Sequence, residues 1–299
     1  MAKVPPLTVK KKEWVKNRSV VLRGEQLNYN ASQQQKYVRS LRSMIKLMTE
    51  ETKKELSKLF EGQIADQYFE NQKKEEAIIT MDASLASQAN IILNYLSSKF
   101  NKLFRLRSKI LSEKMVNDLT KISKSNLHSS LKKLSGGLSL KTGVVSEGVR
   151  NVSTAIIAEN VSLIKTIPQE YFKDITGSVM RSITTGRGLA DLIPEISKRA
   201  KTTERKVKLM ALDQTRKAYN SINKQRMTNV GIKQFEWIHS YGGQAPRESH
   251  MKINGHIFSF ENLENEQAAL GVPKQDRGIP GQAINCRCTM NPVIDFTED

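Results

Sequence analysis

The stretch Met227-Thr228-Asn229-Val230-Gly231-Ile232-Lys233-Gln234-Phe235-Glu236-Trp237-Ile238 marks a change of pattern that divides the chain into two kinds of structure. On its N-terminal side, apolar residues recur at three- and four-residue intervals, which predicts a helix from about Thr203 to Thr228. Past Gly231, polar Gln234 and Glu236 alternate with Phe235 and Trp237, the period of a half-buried strand. From Tyr241 onward Gly, Pro and Asn become frequent, so short strands and loops follow, tied to the preceding helix as a small α+β module. That module has few apolar residues for its size, and a cross-link other than a hydrophobic core would help it hold its shape.

Working back from the switch, the helical period dominates. Tyr37, Leu41, Met44, Ile45, Met48, Leu56, Leu59 and Phe60 predict an amphipathic helix over about Ser32–Phe60. A second stripe runs from Lys74 to Leu111 through Ile78, Met81, Leu85, Ala89, Ile92, Tyr95, Leu96, Leu103 and Leu106. Both exceed the usual helix length of roughly 11–12 residues, as in hairpins or bundles of packed helices, and their Met and aromatic positions read as core. Between Ser123 and Ser146 the chain turns rich in Ser, Lys and Gly, including Gly136, Gly137 and Gly143, which suggests a boundary or hinge. Helical spacing resumes at Val149, with Pro168 read as a new start and Gly186 as a stop, then two helices over Leu189–Arg199 and Thr203–Thr228. Thr202-Thr203-Glu204-Arg205 reads as the opening box of the last one.

The expected architecture is therefore mainly α: an elongated helical body with a small α+β C-terminal module. Its parts are a basic N-terminal arm (1–31), a helical region (32–135), a second helical region leading into the module (144–230), and the module itself (231–299). The arm carries Pro5, Pro6 and the run Lys10 to Lys12, with little core of its own.

Forty-eight Lys and Arg against 30 Asp and Glu give a formal charge of +18, which favours polyanionic partners, although a solvated basic surface explains the charge equally well. No window approaches the roughly 18 consecutive apolar residues of a membrane span. The start, Met1 to Trp14, lacks the apolar run of a signal peptide, so the chain is expected in a cytosol and away from membranes. Only Cys286 and Cys288 are present, in Asn285-Cys286-Arg287-Cys288, too few for a disulfide framework.

Two thiolates one residue apart can grip a soft cation, and a distant histidine can complete the shell. Cys286, Cys288 and His250 are the primary candidates, His256 is the leading fourth ligand, and His239 and Asp276 stand behind it; structural Zn2+ is the cofactor such a set would hold. The plainer reading is a pair of reduced, partly buried thiols, with His250 bonded to a loop carbonyl. Arg247 and Arg287 suit phosphate or carboxylate, or tie their own loops. Trp237 suits base stacking less than packing beneath the module.

Gly231 to Trp237, Pro246-Arg247-Glu248-Ser249-His250, Asn254-Gly255-His256-Ile257-Phe258 and Asn285-Cys286-Arg287-Cys288-Thr289 together resemble the phage Mu F-like head morphogenesis family. The helix Ala211-Leu212-Asp213-Gln214-Thr215-Arg216-Lys217-Ala218-Tyr219-Asn220 resembles that family's lead-in, and the likeness extends over about Ala158–Val293. The resemblance implies a minor head protein of a tailed bacteriophage, without catalytic activity, inside the virion head and in the host cytoplasm during assembly. Its implied partners are the portal protein, the major capsid or scaffolding protein, and double-stranded DNA bound nonspecifically. The alternative class is a metal-dependent nuclease or toxin-like enzyme, motivated by His, Asn, Arg and Cys clustered in a loop-rich module; it lacks a visible paired-carboxylate site. A cellular nucleic-acid-binding protein would explain the charge but not the C-terminal element.

Overall fold

The computed structural model describes residues 21–61, 84–133, 146–242 and 245–295. Its elements are β1 (Val21–Arg23), α1 (Ala31–Phe60), α2 (Leu85–Lys133), α3 (Glu147–Thr184), α4 (Leu189–Asn229), β2 (Gln234–Ile238), α5 (Glu248–Lys252), β3 (Ile257–Ser259), α6 (Leu263–Ala269), a 3-10 turn (Lys274–Asp276) and β4 (Thr289–Asp295). The mainly α expectation with a small C-terminal α+β module holds. No helix among the described residues is long and apolar enough to cross a membrane.

Two compact units divide the chain, one of residues 36–112 and 159–210, the other of 1–35, 113–158 and 211–299. The described elements of the first are all helices. Its core is built from Val38, Leu41, Ile45 and Met48 of α1, Ile92, Leu96, Phe100 and Phe104 of α2, and Ile164, Phe172 and Ile175 of α3, all nearly or fully buried. Phe100 and Phe172 stack with centroids 6.1 Å apart, and among the buried polar groups Tyr37 Oη donates to Asn160 Oδ1 at 3.0 Å.

The second unit holds an antiparallel sheet in the order β1-β4-β2-β3. Phe235 pairs with Phe258 on one side and Pro292 on the other, while Trp237 faces Met290. Phe235 and Trp237 are fully buried, as their alternation requires, and Glu236 between them bonds Asn291 Nδ2 and Arg23.

Four local expectations change. Residues 21–30, read as part of an arm with little core, are tied to the sheet at its edge: Val21–Arg23 pairs with β4, Gly24 N–H donates to Pro292 O at 2.8 Å, and Leu27 is fully buried. The edge of β4 would otherwise leave its N–H and C=O groups unpaired. The Ser-rich segment from Ser123 is no hinge as far as Lys133, because it continues α2; Ser123 is buried and donates to Asn223 Oδ1 at 2.5 Å, a small side chain allowing close helix approach. Gly136, Gly137 and Gly143 lie outside the described residues, as do Lys74, Ile78 and Met81 of the second stripe and residues 1–20 of the arm.

Pro168 starts nothing; it lies inside α3. A mid-helix proline costs about 3 kcal/mol. Ile164, Ile167, Tyr171 and Phe172 around it are all at most 5% exposed, and each such burial contributes about 1.5–3 kcal/mol, so packing outweighs the break. The two helices expected after Gly186 are likewise one, α4. The supposed opening box is interior, with Thr202 and Thr203 hydroxyls donating back to the carbonyls of Lys198 and Arg199, both at 3.1 Å. Gly186 does end α3, in the left-handed conformation at φ 65°.

Candidate metal centre

Three elements of the second unit bring the site together. Short helix α5 presents His250, the turn after the 3-10 segment presents Cys286, and the approach to β4 presents Cys288. The pattern Cys286 buried, Arg287 exposed, Cys288 buried follows the two-residue period of extended chain, which turns both thiols to the same side. His250, Cys286 and Cys288 are only 2–3% exposed, and their ligand atoms lie within 4.8 Å of one another.

His250 Nε2 lies 2.9 Å from the backbone oxygen of Asp276. A carbonyl only accepts, so Nε2 carries the proton and Nδ1 offers its lone pair. Nδ1 is 3.5 Å from Cys286 Sγ and 3.8 Å from Cys288 Sγ. Zinc bonds of ~2.0–2.1 Å to nitrogen and ~2.3 Å to sulfur at a tetrahedral angle put N and S about 3.5 Å apart, so the donor spacing fits. The loop-carbonyl bond expected of an inert His250 is present on one nitrogen, while the other faces the sulfurs. Carbonyl-braced imidazoles of this kind are common behind metal ligands.

The hydrogen bond from Cys288 holds the Cys286 thiol far below the ordinary thiol range against the opposing effect of burial, assisted by His250 and the Cys288 and Gly281 amides. Cys288 moves the opposite way, because the Cys286 sulfur uses its proton and burial disfavours a second charge. Burial alone would lower His250, but its bond to Cys286, the Asp276 carbonyl and the Cys286 charge raise it. A divalent cation held here would displace the protons shared among these three groups.

Supporting contacts are dense. Arg247 Nε donates to Asp276 Oδ1 at 2.9 Å and its Nη2 to Ile284 O at 2.8 Å, while Ser249 Oγ donates to Asp276 Oδ2 at 2.8 Å. Arg247 therefore ties its own loops. Trp237 is fully buried and lies edge-on to His250, centroids 4.9 Å apart, which makes it packing beneath the module. Its buried indole N–H has no hydrogen-bond partner among the described residues.

His256 does not join the group. Its side chain is exposed beside Phe258, while its backbone oxygen accepts from Trp237 N–H at 2.9 Å. Asp276 is present through its carbonyl, its carboxylate being taken by Arg247 and Ser249. His239 is buried nearby, but its Nδ1 accepts the Tyr241 N–H at 3.0 Å, leaving the proton on Nε2. Among the described residues, the donor set is His250, Cys286 and Cys288. Sequence reasoning passed over Ser249 and the role of Asp213, whose carboxylate accepts Asn285 N–H at 2.7 Å; the helix motif containing Asp213 was visible, but nothing in it indicated this long-range contact.

Fold and site define a class: a mainly helical chain closing in an α+β module built around a buried donor set of one imidazole and two thiols. Residues 173–291, which include this whole set, match the family model of Phage Mu protein F like proteins. An uncharacterized protein of Haemophilus influenzae (strain ATCC 51907 / DSM 11121 / KW20 / Rd) is 33% identical over 153 residues, covering 51% of this chain and 32% of that protein. The chain thus spans about a third of the length of that relative. No solved structure matches.

Proposed function

We propose that this chain is a minor head morphogenesis protein of a tailed bacteriophage, associated with the portal and the inner head surface, that touches DNA nonspecifically during assembly, packaging or ejection. The observation that carries this reading is the Mu F-like match over residues 173–291, which spans the module and the helix that supports it. Its location is then the head interior, with the host cytoplasm during assembly.

The DNA contact has a specific surface in its favour. Lys198, Lys201, Arg205 and Lys208 of α4 are all exposed and spaced three, four and three residues apart, which puts them on one face. The neighbouring acid Glu204 is engaged with Arg42 at 3.9 Å. A cationic ridge of this kind meets phosphates without reading bases, so retention on DNA should be strong at low salt and fall steeply as salt rises. No retention at low salt would remove this part of the reading.

The donor set is proposed to hold a structural Zn2+ through Cys286, Cys288 and His250. Bound there, the ion would cross-link α5 to the approach to β4 in a module with a small core. Three protein donors leave one coordination position, which is the observation that favours a hydrolytic enzyme. Burial of all three donors and the engagement of the Asp276 carboxylate with Arg247 and Ser249 favour the structural role. Incubating the purified chain with DNA, RNA and several divalent metals separates the two: cleavage lost in His250→Ala would favour the enzyme.

A further inference from the structure

The helix motif and the thiol-bearing turn are far apart in sequence, 72 residues from Asp213 to Asn285, and the structure joins them at three points. Asp213 Oδ1 accepts the backbone N–H of Asn285 at 2.7 Å. Asn220 Nδ2 lies 3.5 Å from the Cys288 carbonyl oxygen. Gly281, whose amide faces Cys286 Sγ at 3.4 Å, sits so close to the same helix that a Cβ there would come within 2.7 Å of Asn220 Nδ2 and 3.3 Å of the Arg216 carbonyl oxygen. Asp213, Arg216 and Asn220 are spaced three and four residues apart, one face of α4.

Asn285 needs this support because it holds φ 60°, a left-handed conformation that costs a non-glycine residue energy. Asp213 is positioned by Lys217 at 2.8 Å, and a charged acceptor gives a strong bond to the amide. That bond fixes the residue immediately before Cys286. The direction of the Cys286 sulfur is set by the turn it terminates.

We infer that Asp213 is a positioning residue for the metal centre, holding the Asn285 turn so that Cys286 and Cys288 face His250. This rests on the proposed metal site. The experiment uses the full chain as wild type, Asp213→Ala, Asp213→Asn and Lys217→Met, with far-UV circular dichroism to confirm helical content. Zn2+ affinity is read by competition with a chromophoric chelator, coordination by the Co2+ absorption spectrum, and turn geometry by the alkylation rate of Cys286 in metal-free protein. Asp213→Ala is expected to weaken Zn2+ by about 10- to 100-fold, the range for residues behind metal ligands, and to shift the Co2+ bands. It should also speed alkylation of Cys286. Asp213→Asn keeps an oxygen acceptor and Lys217→Met keeps the carboxylate, so both should lose clearly less than Asp213→Ala. Wild-type affinity, spectrum and alkylation in Asp213→Ala would overturn the inference, as would Asp213→Asn behaving like Asp213→Ala. A wild-type chain that binds neither metal would defeat the metal reading separately, and the alkylation rates would still decide whether Asp213 holds the turn.

Discussion

Cys286 and Cys288 lie in one short motif, but His250 comes from a helix 36 residues earlier, and only the fold shows that its free nitrogen meets both sulfurs. A metal held this way couples to folding, so a ligand present at 1,000 times its Kd adds about 4 kcal/mol of stability. Thermal unfolding with and without a chelator should show that increment as a lowered midpoint on chelation. Cys286→Ser or His250→Ala should abolish the difference, and His256→Ala, whose ring is exposed, should leave it intact. A midpoint indifferent to chelator in the wild type would remove zinc from the account. Trp237 offers an independent check, since it is fully buried against His250: Trp237→Ala should cost about 3–5 kcal/mol in chemical denaturation, whereas an exposed stacking residue would cost little. Cys286, Cys288 and His250 could be chosen from sequence because few residue types bind soft cations. The fourth candidate could not, since the sequence does not show that the His256 ring is turned to solvent or that His239 Nδ1 already accepts the Tyr241 N–H.

At the level of elements, period was a good guide to type and a poor one to continuity. The helical stripe of α1 reflects burial on one side of a regular element, and Phe235 and Trp237 share a fully buried face of β2, although Glu236 between them is buried too. Pro168 and the Thr202-Thr203 pair looked like boundaries because their local chemistry favours ends. Tertiary burial of Ile164 to Phe172 overrides the proline, and back-bonding to Lys198 and Arg199 satisfies the hydroxyls within the helix. Pro168→Ala should therefore stabilise the chain, by up to about 3 kcal/mol if the helix regains its lost bond without repacking; equilibrium denaturation would show the gain, and a loss would mean the proline shapes the packing around it. Strand β1 was missed for another reason. Three residues at a sheet edge carry little signal of their own, and what orders Val21–Arg23 is β4, some 270 residues further along the sequence. Leu27, buried beside it, gives the test: Leu27→Ala should cost about 2–5 kcal/mol, whereas a loose arm would tolerate it.

For the molecule as a whole, the formal charge of +18 admits many polyanions, and the α4 ridge gives that charge one defined surface among the described residues. If Lys198, Lys201, Arg205 and Lys208 each meet a phosphate, replacing all four with Gln should reduce the slope of log affinity against log salt by about 3 to 4. An unchanged slope would move the contact elsewhere. Function itself rests on the Mu F-like region, in which the helix of Asp213 and the turn of Cys286 form one structural piece. The most direct test is to purify procapsids and filled heads from cells producing the phage and quantify this chain in each by mass spectrometry. The account predicts a low, reproducible copy number per procapsid, far below that of the major capsid protein. Absence from both particles, with the chain left wholly in the soluble fraction, would contradict it.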